Sequence, residues 1–332
     1  MYTLHNIEHA VIAALYDGNT VNLAQVCERI GIEEAKNEIA CRLNLTVRNV
    51  LYKADTLLIE MMRMVTTVYV FAYVNGIKTE VFRGRIWKVS GDVVKNDKFT
   101  VTCYDDLMYL NKSKDFAFYP SGTGTKTVVT GKLPEYGIPL GGYDGPDVSH
   151  EKLVFSKKTP ASMMKETLAD AELRSGARCV MYMFEGKFYV RRFGTNETMY
   201  KFTEQNCVSG DYSESILNLV TKVLVIGKED DDGRRPIETT ATGDMQYGVL
   251  LDVVVNNEET FVDAKADAEN IIKEKGKPEE KLTIQTINIP TVHKGDVHYV
   301  AVGAAVGYCR VLGVSHDIRA MTMTMEVELF YY

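Results

Sequence analysis

Along most of the chain, apolar side chains fall on every second position, the period of a strand with one buried face. "IACRLNLTV" at 39–47 alternates in this way and predicts a strand. "TTVYVFAYVNGIKTEVFRGRIWKV" at 66–89 holds two β-rich runs around Asn75-Gly76, a pair that accepts the left-handed backbone of a tight hairpin. "DKFTVTCYD" at 97–105 follows as another strand. The stretch "HAVIAALYDGNTVNL" at 9–23 supports two readings. Ile7, Val11, Ala14 and Leu15 share a helical face, yet "AVIAALY" followed by Asp17-Gly18-Asn19 also fits a strand and a turn.

The period changes from 105 to about 205. "DDLMYL" predicts a short helix, and a Gly-, Pro- and Thr-rich stretch at 120–146 follows it. "TPASMMKETLADAELRSGA" predicts a longer helix, capped by Thr159, opened by Pro160 and stopped at Gly176. "CVMYMFEGKFYVRRF" predicts a hairpin across Glu185-Gly186. After that, strands are expected at about 216–227, 246–255, 281–288, 297–302 and 306–315. A single helix is expected from near Thr260 to Gly276, with Pro278 just beyond. In the closing "MTMTMEVELFYY", Met321, Met323, Met325, Val327 and Leu329 face one way, as core filler, and the polar residues between them face the other. The expected division is therefore a β domain at 1–105, an α+β domain at 106–205 and a second β domain with one helix at 206–332. "VSGDVVKNDKFTVTCYD" at 89–105 echoes "VSHDIRAMTMTMEVE" at 314–328, as two copies of one small β module would.

The totals exclude more than they assign. With 332 residues there is room for two or three cores, and 45% hydrophobic and 25% charged residues are ordinary for a globular chain. The net charge is −7 and no Lys/Arg block stands out, which argues against direct nucleic-acid binding. "MVTTVYVFAYV" at 64–74 is about half the length of a membrane span, so no membrane partner is expected. The first residues carry no signal pattern, so the chain is expected to be made and kept in a cytoplasm. Cysteines at 27, 41, 103, 179, 207 and 309 show no metal or redox spacing and read as buried free thiols.

The search for chemistry comes back nearly empty. "TKVLVIGKEDDDGRRPIETT" at 221–240 invites a calcium loop, but with Gly233 at position 6 the first and last ligand positions are Lys228 and Thr239. Asp230, Asp231 and Asp232 read instead as a solvated hairpin loop. "SGTGTKT" at 121–127 separates Gly124 from Lys126 and lacks the earlier glycine of a phosphate loop. His293 and His298, five apart, would point to opposite faces of a strand. His5 and His9 could share a helical face but lack a third ligand, and "HEKLV" at 150–154 lacks a second zinc-binding histidine. No cofactor, metal or catalytic residue is expected, although acids are numerous enough that no carboxylate pair is singled out.

Several segments together resemble one family, the YqbQ/XkdQ-type baseplate hub proteins of contractile phage tails and phage-tail-like particles. "EVFRGRIWKV" matches the family's strand through Phe82, Gly84 and Trp87, and "FTVTCYDDLMYLNKSK" its signature through Tyr104, Asp105, Leu107 and Leu110. "TKVLVIG" matches through Gly227, and the ending matches with His316. Residues 49–66 are longer and less β-like than the pattern. The resemblance implies a mainly β fold with α+β parts: two tube-like β-barrel domains plus a middle α+β domain. It also implies a homotrimer that joins the hexameric tail tube to the trimeric spike among other baseplate proteins. The named residues would then be structural. A tail-borne peptidoglycan hydrolase and a receptor-binding tail protein are the alternatives.

Overall fold

In the structure, a computed structural model that describes residues 7–15, 17–230, 232–256 and 264–330, the first third is β apart from one helical turn. Its elements are β1 (Ile7–Ala14), β2 (Thr20–Asn22), β3 (Cys27–Glu34), β4 (Arg42–Arg48), β5 (Leu51–Lys53), β6 (Thr56–Leu57), the one-turn helix α1 (Leu58–Met61), β7 (Thr67–Val74), β8 (Ile77–Gly91) and β9 (Lys98–Tyr104). The stretch with two readings is strand and turn, because β1 pairs with β7 from Ile7↔Val74 to Ala13↔Val68, a ladder that no helix could make. Asn75 and Gly76 both take positive φ, 51° and 82°, and join β7 to β8 in a two-residue turn. The alternation buries Leu43, Leu45 and Val47 of β4 against Val68 and Val70 of β7 and Phe99, Val101 and Cys103 of β9.

The middle third holds α2 (Leu107–Lys112), β10 (Asp115–Tyr119), α3 (Thr125–Gly131), β11 (Leu140–Tyr143), β12 (Leu153–Lys158), α4 (Pro160–Ser175), β13 (Cys179–Phe184) and β14 (Lys187–Arg192). The Thr159 hydroxyl accepts the Ser162 N–H, and Gly176 ends α4 in the left-handed conformation. β10 and β12 form a two-stranded ribbon, and β11 runs parallel to β14 beside β13. Leu107, Leu110, Leu133, Met164 and Phe188 make the core between these elements.

The last third contains β15 (Lys201–Thr203), β16 (Cys207–Ser215), β17 (Lys222–Ile226), β18 (Ile237–Thr242), β19 (Leu251–Val255), α5 (Ala264–Lys275), β20 (Glu279–Ile287), β21 (Val297–Val302), β22 (Ala305–Asp317) and β23 (Thr322–Phe330). β17 starts later than expected because Ser215 Oγ accepts the Leu217 N–H and Leu219 N–H reaches Ile216 O, which turns the chain first. β19 also starts late, after a 3-10 turn that the Asp244 carboxylate caps. The expected start of the 260–276 helix lies outside the described residues. Met323, Met325 and Val327 of β23 are buried, whereas Met321 lies in the preceding turn and is exposed.

Two units emerge. One is Met1–Gly210 with Thr283–Tyr332, and the other is Asp211–Leu282. In the second, β17 pairs with β18 and β19, and Val223 and Val225 pack with Ala268 of α5. Among the described residues the main sheet has thirteen strands, ordered β16-β20-β23-β22-β3-β4-β9-β8-β7-β1-β2, with β21 on β22 and β15 on β21. Strands from the two ends of the chain thus share one sheet, joined where β3 pairs with β22 at Glu34↔Val314 through Gly31↔Asp317. The pairings among the described residues run open from β16 to β2.

Candidate functional site

Seven of the nine motif residues meet at one joint, where β8 and β9 hand the chain to α2. Gly84 lies where a Cβ would stand 2.3 Å from Tyr104 O and 2.5 Å from the Phe82 ring, so only glycine lets the two strands approach this closely. Trp87 meets Tyr104 edge-on at 6.3 Å and Tyr109 at 5.1 Å. Asp105 is buried, and its two oxygens accept the Cys41 N–H (3.0 Å) and the Leu107 N–H (3.1 Å). It thereby pins the loop after β3 to the start of α2. Leu107 and Leu110 are fully buried in the middle core. The other two residues lie elsewhere. Gly227 donates to Pro236 O at the base of the β17–β18 loop. His316, on β22, is buried with Nδ1 2.7 Å from Asn288 Oδ1 and Nε2 3.1 Å from Val292 O.

Beside the joint is a cavity of about 250 Å³ whose walls include Phe82, Asp105, Met181, Arg191, His293 and Lys294. A charged network closes one side of it. His293 Nδ1 lies 2.7 Å from Glu34 Oε1, and the Lys294 N–H donates to Glu34 Oε2 (3.0 Å). Lys294 Nζ donates to Ala35 O and Glu38 O. Arg191 pairs with Asp296 at 2.7 Å and donates to Lys294 O, and Asp296 also accepts the His293 N–H. The two histidine rings go to different partners: His293 lies in the loop before β21 with its ring on Glu34, whereas His298, on β21, accepts the Tyr200 N–H at Nδ1 and holds Nε2 3.8 Å from Asp296. Burial pushes Glu34 up, but the His293 and Lys294 cations more than offset it and hold the carboxyl at about 2. Burial raises Asp105 to about 8 despite its two backbone bonds, and the neighbouring Asp106 and Glu34 carboxylates add to the rise. Burial also lowers Lys294. The network is a latch between the end of β3, the 288–297 loop and β14, and it carries no sequence signal because the contacts between these three segments join residues over a hundred positions apart.

The other sequence candidates resolve individually. The 221–240 stretch is a hairpin of β17 and β18 whose exposed Asp230 accepts the loop N–H groups of Asp232 (3.1 Å) and Arg234 (2.7 Å); Asp231 lies outside the described residues. In the 121–127 segment, Asp147 Oδ1 accepts the Lys126 N–H (3.0 Å) at the start of α3, where a phosphate would otherwise sit. Thr125 Oγ1 is 2.8 Å from His150 Nε2, and His150 Nδ1 is 2.6 Å from Asp170. The order imitates a nucleophile–base–acid relay, yet Thr125 is wholly buried and tied to Val148, so the chain serves as an internal brace. Cys27, Cys103 and Cys309 are buried and the other three cysteines half-buried, all free. Burial pushes the Cys27 and Cys309 thiols up to about 12, far from a reactive thiolate. His5 lies outside the described residues, and no cluster of three potential metal ligands occurs among the described ones. No helix among the described residues is long and apolar enough to cross a membrane.

This joined sheet with an α+β insert is the fold of phage tail proteins. The 43 kDa tail protein of prophage MuSo2 from Shewanella oneidensis superposes with a TM-score of 0.65 at 12% identity, covering 96% of this chain and 97% of that one. The chain belongs to the YQBQ-like family, whose model matches residues 51–330. It is 25% identical to the uncharacterized protein YqbQ of Bacillus subtilis (strain 168) over 75% of this chain and 77% of that protein. It is 22% identical to the phage-like element PBSX protein XkdQ of the same organism, over 75% and 78%.

Proposed function

We propose that the chain is a structural baseplate hub of a contractile tail or tail-like particle, a trimeric adaptor between a hexameric inner tube and a trimeric spike, without catalysis of its own. One observation carries this reading. The two echoing segments each form a strand–turn–strand hairpin, β8–β9 and β22–β23, and these lie on either side of the β3–β4 hairpin in one sheet, with β9 innermost in the first and β22 in the second. A chain with two like modules, repeated three times around an axis, presents six similar faces to a tube and three to a spike. The open sheet ends at β16 and β2 supply edges that neighbouring copies could cover. On this reading residues 1–105 and 206–332 are the tube-like parts and 106–205 is peripheral. The chain is made in the bacterial cytoplasm and assembled into the baseplate beside the tube and spike proteins.

Light scattering of the purified chain, with and without the spike protein encoded beside it, tests this. A mass three times the chain's 37.3 kDa in either condition supports the hub. A monomer in both, well above assembly concentrations, refutes it. A cell-wall lysis assay would bring forward the peptidoglycan hydrolase reading, and a rod rather than a squat ring in negative stain would favour a receptor-binding protein.

A further inference from the structure

The β10–β12 ribbon buries one face and leaves the other bare. Ala117 and Phe155 turn inward against Val128 and Met163. On the opposite face Phe116, Phe118 and Val154 are 74%, 61% and 55% exposed, and Phe118 stands directly across from Val154 in the register. Isolated exposed apolar residues are ordinary, but two phenylalanines at i and i+2 beside a cross-strand valine form a continuous patch. Among the described residues this sheet has only two members, so the outer edges of both strands are unpaired.

The charges at this ribbon lean one way. Asp115 is paired with Lys132, and Glu166 with Lys158. Glu151 is engaged by the Ser121 hydroxyl. Lys114 before β10, and Lys152 and Lys157 at the two ends of β12, have no ion pair among the described residues. We propose that this ribbon is a docking site for an extended protein segment that alternates apolar and acidic residues. The apolar side chains would cover Phe116, Phe118 and Val154, the carboxylates at the segment's two ends would meet Lys114 and Lys157 at one end of the ribbon and Lys152 at the other, and the segment's backbone would add a third strand to the open edge. An anionic lipid surface could take up the same phenylalanines and lysines, but it could not satisfy the unpaired strand edge, so the observations favour a protein.

The test uses the isolated full chain, so its outcome is separate from that of the assembly experiment. A fluorescein-labelled peptide, Glu-Val-Glu-Ile-Glu-Val-Glu, is titrated by anisotropy beside its lysine counterpart and beside vesicles of phosphatidylglycerol and phosphatidylcholine. The acidic peptide is expected to bind with an affinity that falls as salt rises. F116S/F118S should weaken it about tenfold or more. K114E/K152E/K157E should transfer preference to the lysine peptide. All five positions are at the surface, and circular dichroism confirms that each variant is folded. The proposal is overturned if the acidic peptide fails to bind, if both peptides bind alike, if the variants bind as the parent does, or if only vesicles bind.

Discussion

Gly84→Ala is the sharpest probe of the joint between the main sheet and α2. The added Cβ would stand 2.3 Å from Tyr104 O, 2.6 Å from Tyr104 C and 2.5 Å from the Phe82 ring tip. Comfortable contact lies near 3.5 Å, so the neighbours must retreat by about 1 Å. Neither can do so freely. Tyr104 is held in the β8–β9 ladder opposite Arg85, and Phe82 is buried in the core. Overpacking of this kind costs about 1–3 kcal/mol. Gly31→Ala is the matched control, because its Cβ would meet nothing nearer than His316 O at 3.8 Å. Trp87 is the only tryptophan and packs on Tyr104 and Tyr109, so its fluorescence in a urea titration reads this joint directly. Gly84→Ala should lower the unfolding midpoint and shift the Trp87 emission, while Gly31→Ala leaves both in place. An unchanged midpoint and emission in Gly84→Ala would refute the close-approach argument.

Acid should also weaken the fold. Burial lowers His316 and His9 from 6.5 to about 4, so the unfolded chain takes up their protons first as pH falls from 6.5. For the fully buried His316 that is worth about 3 kcal/mol, present above pH 6.5 and lost by pH 4. Asp105 opposes this, because the folded state keeps its proton up to about 8 and loses stability as pH rises from 3.8 to that value. In denaturant midpoints measured from pH 4 to 8, His316→Gln should flatten the acid-side loss and Asp105→Asn should steepen it. Asp296→Asn strands the Arg191 cation and should cost about 3–5 kcal/mol by urea unfolding. Neutralising Asp230 and Asp232 to asparagine, on an exposed loop, should move stability by no more than about 0.5 kcal/mol, and unfolding of that variant would contradict the hairpin.

Where the structure agreed closely with the pattern, the signals were local. Asn75-Gly76 and Glu185-Gly186 each take two positive φ values, and Thr159 and Gly176 bound α4, because caps and tight turns are settled by residues within a few positions of one another. The motif around Gly84 and Asp105 was legible as a motif. Its role as a joint was not, since the Cys41 N–H that Asp105 accepts comes from 64 residues away.

The sequence by itself thus determined the strand period, several turns, the middle helices α2 and α4, and the likeness to a family of tail proteins. Periodicity reports which face of an element is buried and says nothing of which element covers it. Only the tertiary structure decided that the 9–23 stretch begins as a strand, β1, and not a helix, because β7 supplies its ladder. Only it placed β3 beside β22, and β11, β15 and β17 in parallel pairings that no turn announces. The same holds for the latch of Glu34, His293, Lys294, Arg191 and Asp296, where charges far apart in sequence stabilise one another only after the sheet has brought them out of water together.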